Sequence, residues 1–216
     1  MGKKVSIAII GTIGVGKSTL ISRLKKALVG NSEQVAFPTE VVVYGEPSVT
    51  IDFLKDSLRR FYNDTKKWAY PLQAGVAAAQ EINHQILRDT DYDYAIVDAP
   101  FSSYVYCSIH AKAGRLTEQE KNTIDAIARP FPFDYVVIVE ETAETTIDRI
   151  MKRNRSIELN DLLYLHEHIR DYKEFQDDYI NKYFPGAEVI RLTGLPDELS
   201  EEYRKVLQGV VDKVSA

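Results

Sequence analysis

Cysteine is nearly missing: Cys107 is the single one in 216 residues. No intramolecular disulfide can form, so an apolar core must carry the fold, and a reducing compartment is expected. Long apolar runs are missing too. None approaches the roughly 18 residues of a membrane-spanning helix, and no signal-peptide pattern is visible, so a cytoplasmic protein without a membrane partner is expected. Basic excess is absent: 27 Lys and Arg against 32 Asp and Glu leave a net charge of −5. A protein that grips a polyanion through its phosphates usually has the opposite balance, so nucleic acid is not the expected partner. Repeats and low-complexity tracts are also lacking. Charged residues at 27% and hydrophobic ones at 44% describe an ordinary globular chain, long enough for one α/β domain with a full core. Met1-Gly2 with Ser6 fits a loose myristoylation pattern, but Val5 and Ser6 belong to a first strand. Asn63-Asp64-Thr65 and Asn154-Arg155-Ser156 would accept a glycan only on a secretory route.

What is present is a phosphate-binding loop, Gly11-Thr12-Ile13-Gly14-Val15-Gly16-Lys17-Ser18, of the form G-x-x-x-x-G-K-[ST]. Its context is right. Lys4 to Ile10 is a short β-branched run that reads as a buried strand, and Leu20, Ile21, Leu24 and Leu28 recur at helical spacing after Lys17. Glycines let backbone N–H groups curl around phosphate oxygens at a helix N-terminus, which carries partial positive charge. Gly11, Ile13, Gly14, Val15, Gly16, Lys17, Ser18 and Thr19 are therefore the expected nucleotide contacts, with Lys17 on the β/γ-phosphates and Ser18 on Mg²⁺. A guanine-reading Asn-Lys-x-Asp is absent, because Asn181-Lys182 continues into Tyr183-Phe184; a regulated GTPase is excluded.

Further strands are expected at Glu40 to Tyr44, Tyr94 to Val97, Asp134 to Val139 and Glu188 to Leu192. Between them, Ile51, Leu54, Leu58 and Phe61 keep a helical period. Pro71 stands where a helix can start, with Leu72, Ala79 and Ile86 on one face. Thr117-x-x-Glu120 predicts a capping box for a helix toward Ala128, Asn160 a cap for one through about Tyr172, and Pro196 the start of the last helix. Alternating strands and helices imply a parallel sheet covered on both faces, with ligands at the carboxyl ends of the strands.

The chemistry-bearing residues fall at those ends. Asp98 closes a strand, where a carboxylate can share Mg²⁺ with the loop serine; the plainer reading is a turn aspartate. Glu46, before Pro47, can take the proton of an acceptor hydroxyl, or be a solvated turn. Arg149, Arg153 and Arg155 can neutralise charge on a transferring phosphoryl group, or simply complete a basic helix end. Gln73 can both donate and accept, and Val76 and Gln80 follow on the same helix face, so one pocket can hold all three.

The phosphate loop, Glu46-Pro47, Tyr62, Trp68, Gln73, Arg149, Arg153-Asn154-Arg155, Glu158 and Tyr164-Leu165 keep an order and spacing from residue 7 to about 175 that resembles the deoxynucleoside kinases. That family includes the deoxycytidine, deoxyguanosine and mitochondrial thymidine kinases and the insect multisubstrate enzyme. The resemblance implies one P-loop kinase domain over 1–216, with a five-stranded parallel sheet in order 2-3-1-4-5, flanking helices and an arginine-rich lid at about 150–160. It implies Glu46 as general base for the nucleoside 5′-hydroxyl, Tyr62 and Glu158 on the sugar 3′-hydroxyl, Gln73 on the base and Trp68 as a pocket wall. Arg149, Arg153 and Arg155 match lid arginines, and Asp98 the acidic position of a Glu/Asp-Arg-Ser motif, with Ser103 and Tyr106 in register beyond it. A homodimer is implied as well.

Two departures stand out. Ala99-Pro100 replaces Arg-Ser, so either a lid arginine or Arg59/Arg60 substitutes, or the acceptor differs. Gln80 and Tyr104 stand where purine- and cytidine-preferring members carry Arg and Asp, while Val76 resembles thymidine-accepting members and leans toward a pyrimidine. The expected activity is ATP- and Mg²⁺-dependent phosphorylation of a deoxynucleoside 5′-hydroxyl, in nucleotide salvage. The rival acceptors are a nucleoside monophosphate or a modified-base hydroxyl in a nucleotide or DNA, with Arg59, Arg60, Lys66 and Lys67 as the added cationic subsite. A non-catalytic nucleotide-binding protein is the rival from another class.

Overall fold

The computed structural model describes residues 4–30, 39–127, 129–153, 162–197 and 199–216. Five strands, β1 (Val5–Ile10), β2 (Val41–Tyr44), β3 (Tyr94–Asp98), β4 (Tyr135–Glu140) and β5 (Glu188–Thr193), form one sheet in the order β2-β3-β1-β4-β5. Every pairing is parallel. The three central strands are Val/Ile-rich and buried almost throughout, as a parallel sheet covered on both faces demands. Register sets the site: Ile9 pairs with Asp98 and Tyr44 with Val97, so the loop after β1, Glu46 and Asp98 meet at one sheet edge.

One face carries α1 (Lys17–Gly30) and α9 (Glu201–Val214), whose Leu20, Leu24, Leu28, Val210, Val211 and Val214 join the strand side chains in a single core. The other face is covered by α5 (Ser102–Lys112) and α8 (Leu162–Tyr183). A third cluster joins α3 (Asp52–Asn63), α4 (Thr65–Asp89), α5 and α6 (Glu118–Asp125) beside the sheet edge. A single turn, α2 (Pro47–Thr50), precedes α3, and α7 (Ala143–Arg153) follows β4.

Several expectations need correction. Pro71 does not start a helix; it lies inside α4, which starts at Thr65 and is capped by Asp64, whose side chain accepts from the Lys67 backbone N–H. Ile86 leaves the buried face of α4 and is 46% exposed, while Leu87 is buried instead. A straight helix drifts about 20° per heptad, so two heptads after Leu72 the stripe has rotated onto the next residue. The predicted box at Thr117 and Glu120 is present in both directions, although α6 stops at Asp125. The last helix begins at Glu201, past Pro196, because the Ser200 side chain accepts from the Tyr203 backbone N–H. α8 runs beyond Tyr172 to Tyr183, and Asn160 lies outside the described residues. No helix among the described residues is long and apolar enough to cross a membrane.

Candidate active site

The phosphate loop is built on backbone that only glycine tolerates. Gly14 has φ +82°, and a Cβ there would stand 2.7 Å from Ile150 Cγ1. The loop thus packs directly beneath α7 with no side chain between them. Lys17 opens α1, and its buried Nζ donates to the carbonyls of Gly11 (2.9 Å) and Thr12 (3.0 Å). Held this way, the ammonium sits in the hollow of its own loop. From below, α8 supports the loop: the Tyr172 hydroxyl lies against the Gly11 backbone N–H, and burial pushes that phenol up.

A cavity of about 960 Å³, its open mouth included, lies against this loop. Ile13, Gly14, Lys17 and Ser18 form one end, Asp98 and Glu46 the side, and Ser48 and Val49 follow from α2. Leu58, Phe61 and Tyr62 come from α3, Leu72, Gln73 and Val76 from α4, Tyr106 from α5, and Leu165 and His168 from α8. The structure thus brings together the expected Lys17, Ser18, Glu46, Asp98, Tyr62, Gln73 and Val76. The apolar stripe of α3 foretold Leu58 and Phe61 as buried but not as pocket wall. His168 gave no motif, only its place three residues after Leu165 on the inward face of α8.

Charge inside the cavity is unevenly screened. Burial, with Glu46 adding repulsion against the attraction of Lys17, raises the Asp98 carboxyl to about 6. Its Oδ1 is buried with no hydrogen bond among the described residues. Such an oxygen, on a cavity that Ser18 and Lys17 also line, suits a hard cation with oxygen ligands. Glu46 is held differently: its Oε1 accepts from Ser48 Oγ at 2.9 Å. Burial first, then Lys17, depresses His168 to about 3, so its ring is neutral where it meets Tyr106 at 4.8 Å between centroids. Gln73 Oε1, on another residue of the cavity lining, is also buried with no described hydrogen-bond partner, an acceptor whose burial costs free energy until a donor meets it.

Other expected residues lie elsewhere. Trp68 packs with the cluster of α3 and α4 and carries the Arg60 guanidinium over its ring at 5.2 Å, outside the cavity lining. Tyr104 packs edge-on to Tyr183 at 4.9 Å, with the Lys182 ammonium over its ring at 4.5 Å. Gln80 turns away from the cavity: its Nε2 donates to Ala99 O at 2.8 Å and to Ser102 Oγ at 3.0 Å. Gln73, Val76 and Gln80 therefore do not line one pocket; the helix rotates Gln80 toward the β3–α5 turn. Arg59 and Arg60 both pair with Asp56, at 2.6 and 2.7 Å, so neither stands in for the missing motif arginine in this structure. Arg149 braces two loops, its Nη1 donating to Val15 O and Nη2 to Leu195 O, both at 3.0 Å, with Glu141 Oε2 at 3.2 Å. Gly11, Val15, Gly16 and Thr19 shape the loop without lining the cavity. Arg153 closes α7, while Arg155 and Glu158 lie outside the described residues.

Comparison with known proteins agrees with this geometry. A deoxyadenosine/deoxycytidine kinase of Bacillus subtilis (strain 168) is 24% identical over 166 residues, spanning 73% of this chain and 69% of its own. The structure of deoxyadenosine kinase from M. mycoides with bound dATP superposes at a TM-score of 0.68, with 21% identity, over 98% of this chain and 100% of that one. The same enzyme with bound dCTP gives 0.65 at 20% identity, over 96% and 100%. Those two likenesses establish the fold. The family model described as deoxynucleoside kinase matches residues 7–213, and that match takes in the phosphate loop, both strand-end carboxylates and every wall of the cavity. The chain belongs to the deoxynucleoside kinase family, and is a phosphotransferase of nucleosides.

Proposed function

We propose that the protein transfers the γ-phosphoryl group of ATP, with Mg²⁺, to the 5′-hydroxyl of a deoxynucleoside. The observation that carries this reading is the shared cavity: Lys17 and Ser18 at one end, Gln73 at the other, and Glu46 and Asp98 between them. The loop amides and Lys17 bind the donor phosphates. Glu46 takes the proton of the acceptor hydroxyl. Asp98 and Ser18 would hold the metal, which supplies charge neutralisation on the phosphate oxygens. Gln73 reads the base edge, Val76 and Leu72 pack against the base, and Tyr62 with Glu158 orients the sugar. Arg153 and Arg155 belong to the lid in this reading, and Arg149 braces the donor site beside it. A cytoplasmic homodimer completes the proposal, since Ile82 and Ile86, one turn apart on α4, form an exposed apolar pair.

An acceptor that already carries a phosphate fits less well. Lys17 is the only Lys or Arg among the described lining residues, and it serves the donor loop. Arg59 and Arg60 are engaged by Asp56, while Lys66 and Lys67 are exposed outside the cavity.

The test is transfer of γ-labelled phosphate to the four deoxynucleosides, their monophosphates and DNA. Label in a monophosphate is expected, and it names the base in the same assay; label confined to a diphosphate or to DNA overturns the nucleoside reading. Glu46→Gln should lower kcat by roughly 10²- to 10⁴-fold with ATP affinity unchanged. Near-normal turnover in that variant removes Glu46 from the role of base.

A further inference from the structure

We infer that Gln80 is a positioning residue: its amide clamps the left-handed turn behind Asp98 and so fixes that carboxylate against the phosphate loop, a task separate from reading the base. The inference rests on the proposed phosphoryl-transfer role of Asp98.

The turn is unusual in its backbone. Ala99 has φ 47° and Phe101 φ 57°, the left-handed region that L-residues avoid. No glycine relieves either position, so the conformation persists only if its surroundings impose it. Two helices do so. From α4, Gln80 Nε2 donates to Ala99 O (2.8 Å) and Ser102 Oγ (3.0 Å), and Ser103 Oγ donates back to Gln80 Oε1 (3.3 Å). From α8, the Tyr179 hydroxyl donates to Pro100 O. Phe101 anchors the turn in the core, its ring stacked on Tyr183 at 4.9 Å.

The capacity of the Gln80 amide is spent on this work. Both hydrogens of Nε2 are committed, Oε1 accepts, and the group is buried and absent from the cavity lining. What the clamp controls is the residue just before the turn. The Ala99 backbone N–H donates to Ile9 O at 2.9 Å, continuing the β1–β3 ladder by one bond and aligning Asp98 beside the start of the phosphate loop. If Ala99 relaxed to right-handed backbone, its carbonyl would swing away from Gln80 and Asp98 would rotate with it. The partners of Gln80 also explain how Ala99-Pro100 is accommodated: the turn is secured from within by a neutral amide.

The test compares Gln80→Leu, Gln80→Leu/Ala99→Gly and Tyr179→Phe with the wild type, by steady-state kinetics and amide hydrogen exchange over residues 97–104. Gln80→Leu should lower kcat roughly ten- to a hundredfold, as a small misplacement of a reacting group does. Nucleoside KM should stay within about threefold, the order of preference among deoxynucleosides should not change, and exchange at Ala99 and Ser102 should accelerate. Ala99→Gly, free to adopt positive φ, should recover part of the lost kcat. Tyr179→Phe should move kcat and exchange the same way, and it carries the test alone if Gln80→Leu does not fold. A raised nucleoside KM or a changed base preference with exchange over the turn unchanged would make Gln80 a base reader and overturn the inference; so would unchanged kcat. If the wild type transfers nothing to any nucleoside, the proposed function falls, whereas exchange in the ligand-free protein still reports on the clamp.

Discussion

Gly14 concentrates two constraints at one Cα. Its φ of +82° strains any L-residue, and an added methyl would press on Ile150 Cγ1 at 2.7 Å, a fully buried side chain of α7 against the loop. Gly14→Ala should therefore cost about 1–3 kcal/mol of stability and weaken ATP binding far beyond that, because the loop amides must move to release the contact. Equilibrium unfolding and titration of a fluorescent ATP analogue check the two parts separately; ATP affinity within twofold of wild type would contradict the packing argument. Gly14 also marks where sequence is most legible. The loop glycines, Lys17, Asp98 and Glu46 announce themselves through strand-end positions, and all of them meet at the sheet edge. Gln80 does not, because an amide written on a helix face says nothing about the direction of its bonds. Only the left-handed backbone at Ala99 and Phe101 shows what it is for. Trp68 and Tyr104 mislead for a similar reason: an aromatic fits a pocket wall and a core equally well until its neighbours are known.

Pro71 sits seven residues into the 25-residue α4. It offers no N–H to the Lys67 carbonyl and crowds that turn, yet its ring is solvent-exposed. The residues just beyond it, Leu72, Gln73 and Val76, line the cavity. The break in the ladder thus falls where the helix passes from its capped start to its pocket-facing part. Pro71→Ala should stabilise the protein by about 1–2 kcal/mol, the regained helical bond offset by a freer unfolded chain. It should also raise nucleoside KM several-fold with kcat nearly kept, as the straightened helix shifts Gln73. Thermal unfolding and steady-state kinetics decide this; greater stability with an unchanged KM would separate the proline from the pocket. Pro71 resembles a helix start in sequence, since proline is favoured at a first helical position and the sequence does not show which turn it occupies. The cap at Asp64 precedes a helix whose first turn contains no acidic residue, so its signal is weak. Thr117 and Glu120 form a reciprocal pair and were readable for that reason. The strands were readable because a parallel sheet covered on both faces needs unbroken β-branched runs. Their order rested on family resemblance, as periodicity carries no neighbour information.

Across the whole molecule, the chain has four histidines, and three of them are buried. Burial, with Arg88 adding repulsion, lowers His84 to about 4. Burial and Lys17 lower His168 to about 3, and burial pushes His110 down as well, with His168 and Arg115 contributing. In the unfolded chain each would titrate near 6.5. A depressed folded-state value means stability that is complete above the unfolded pKa and lost as pH falls toward the folded one. Asp98 acts in the opposite sense: its raised carboxyl gains stability as pH falls from about 6. Three histidines outweigh that one carboxyl, so the ligand-free protein should lose stability between pH 7 and 5, before most surface carboxylates titrate. His84 isolates the effect because it lies outside the cavity lining. It packs against Phe101 at 4.4 Å, Phe131 at 5.5 Å and Phe133 at 6.0 Å, and neither ring nitrogen has a described hydrogen-bond partner. On its own it should account for about 2 kcal/mol between pH 8 and 5, or roughly 4–8 °C in Tm for a chain of this size. His84→Phe removes the titration and places a fourth phenyl ring in that cluster. Any packing cost of the slightly larger ring is the same at every pH, so the diagnostic quantity is the difference between the Tm shifts at the two pH values. A gain at pH 5 that exceeds the gain at pH 8 by several degrees is expected. Equal shifts at both would mean that the proton is taken up elsewhere, and would return the acid sensitivity to His110 and His168 beside the active site.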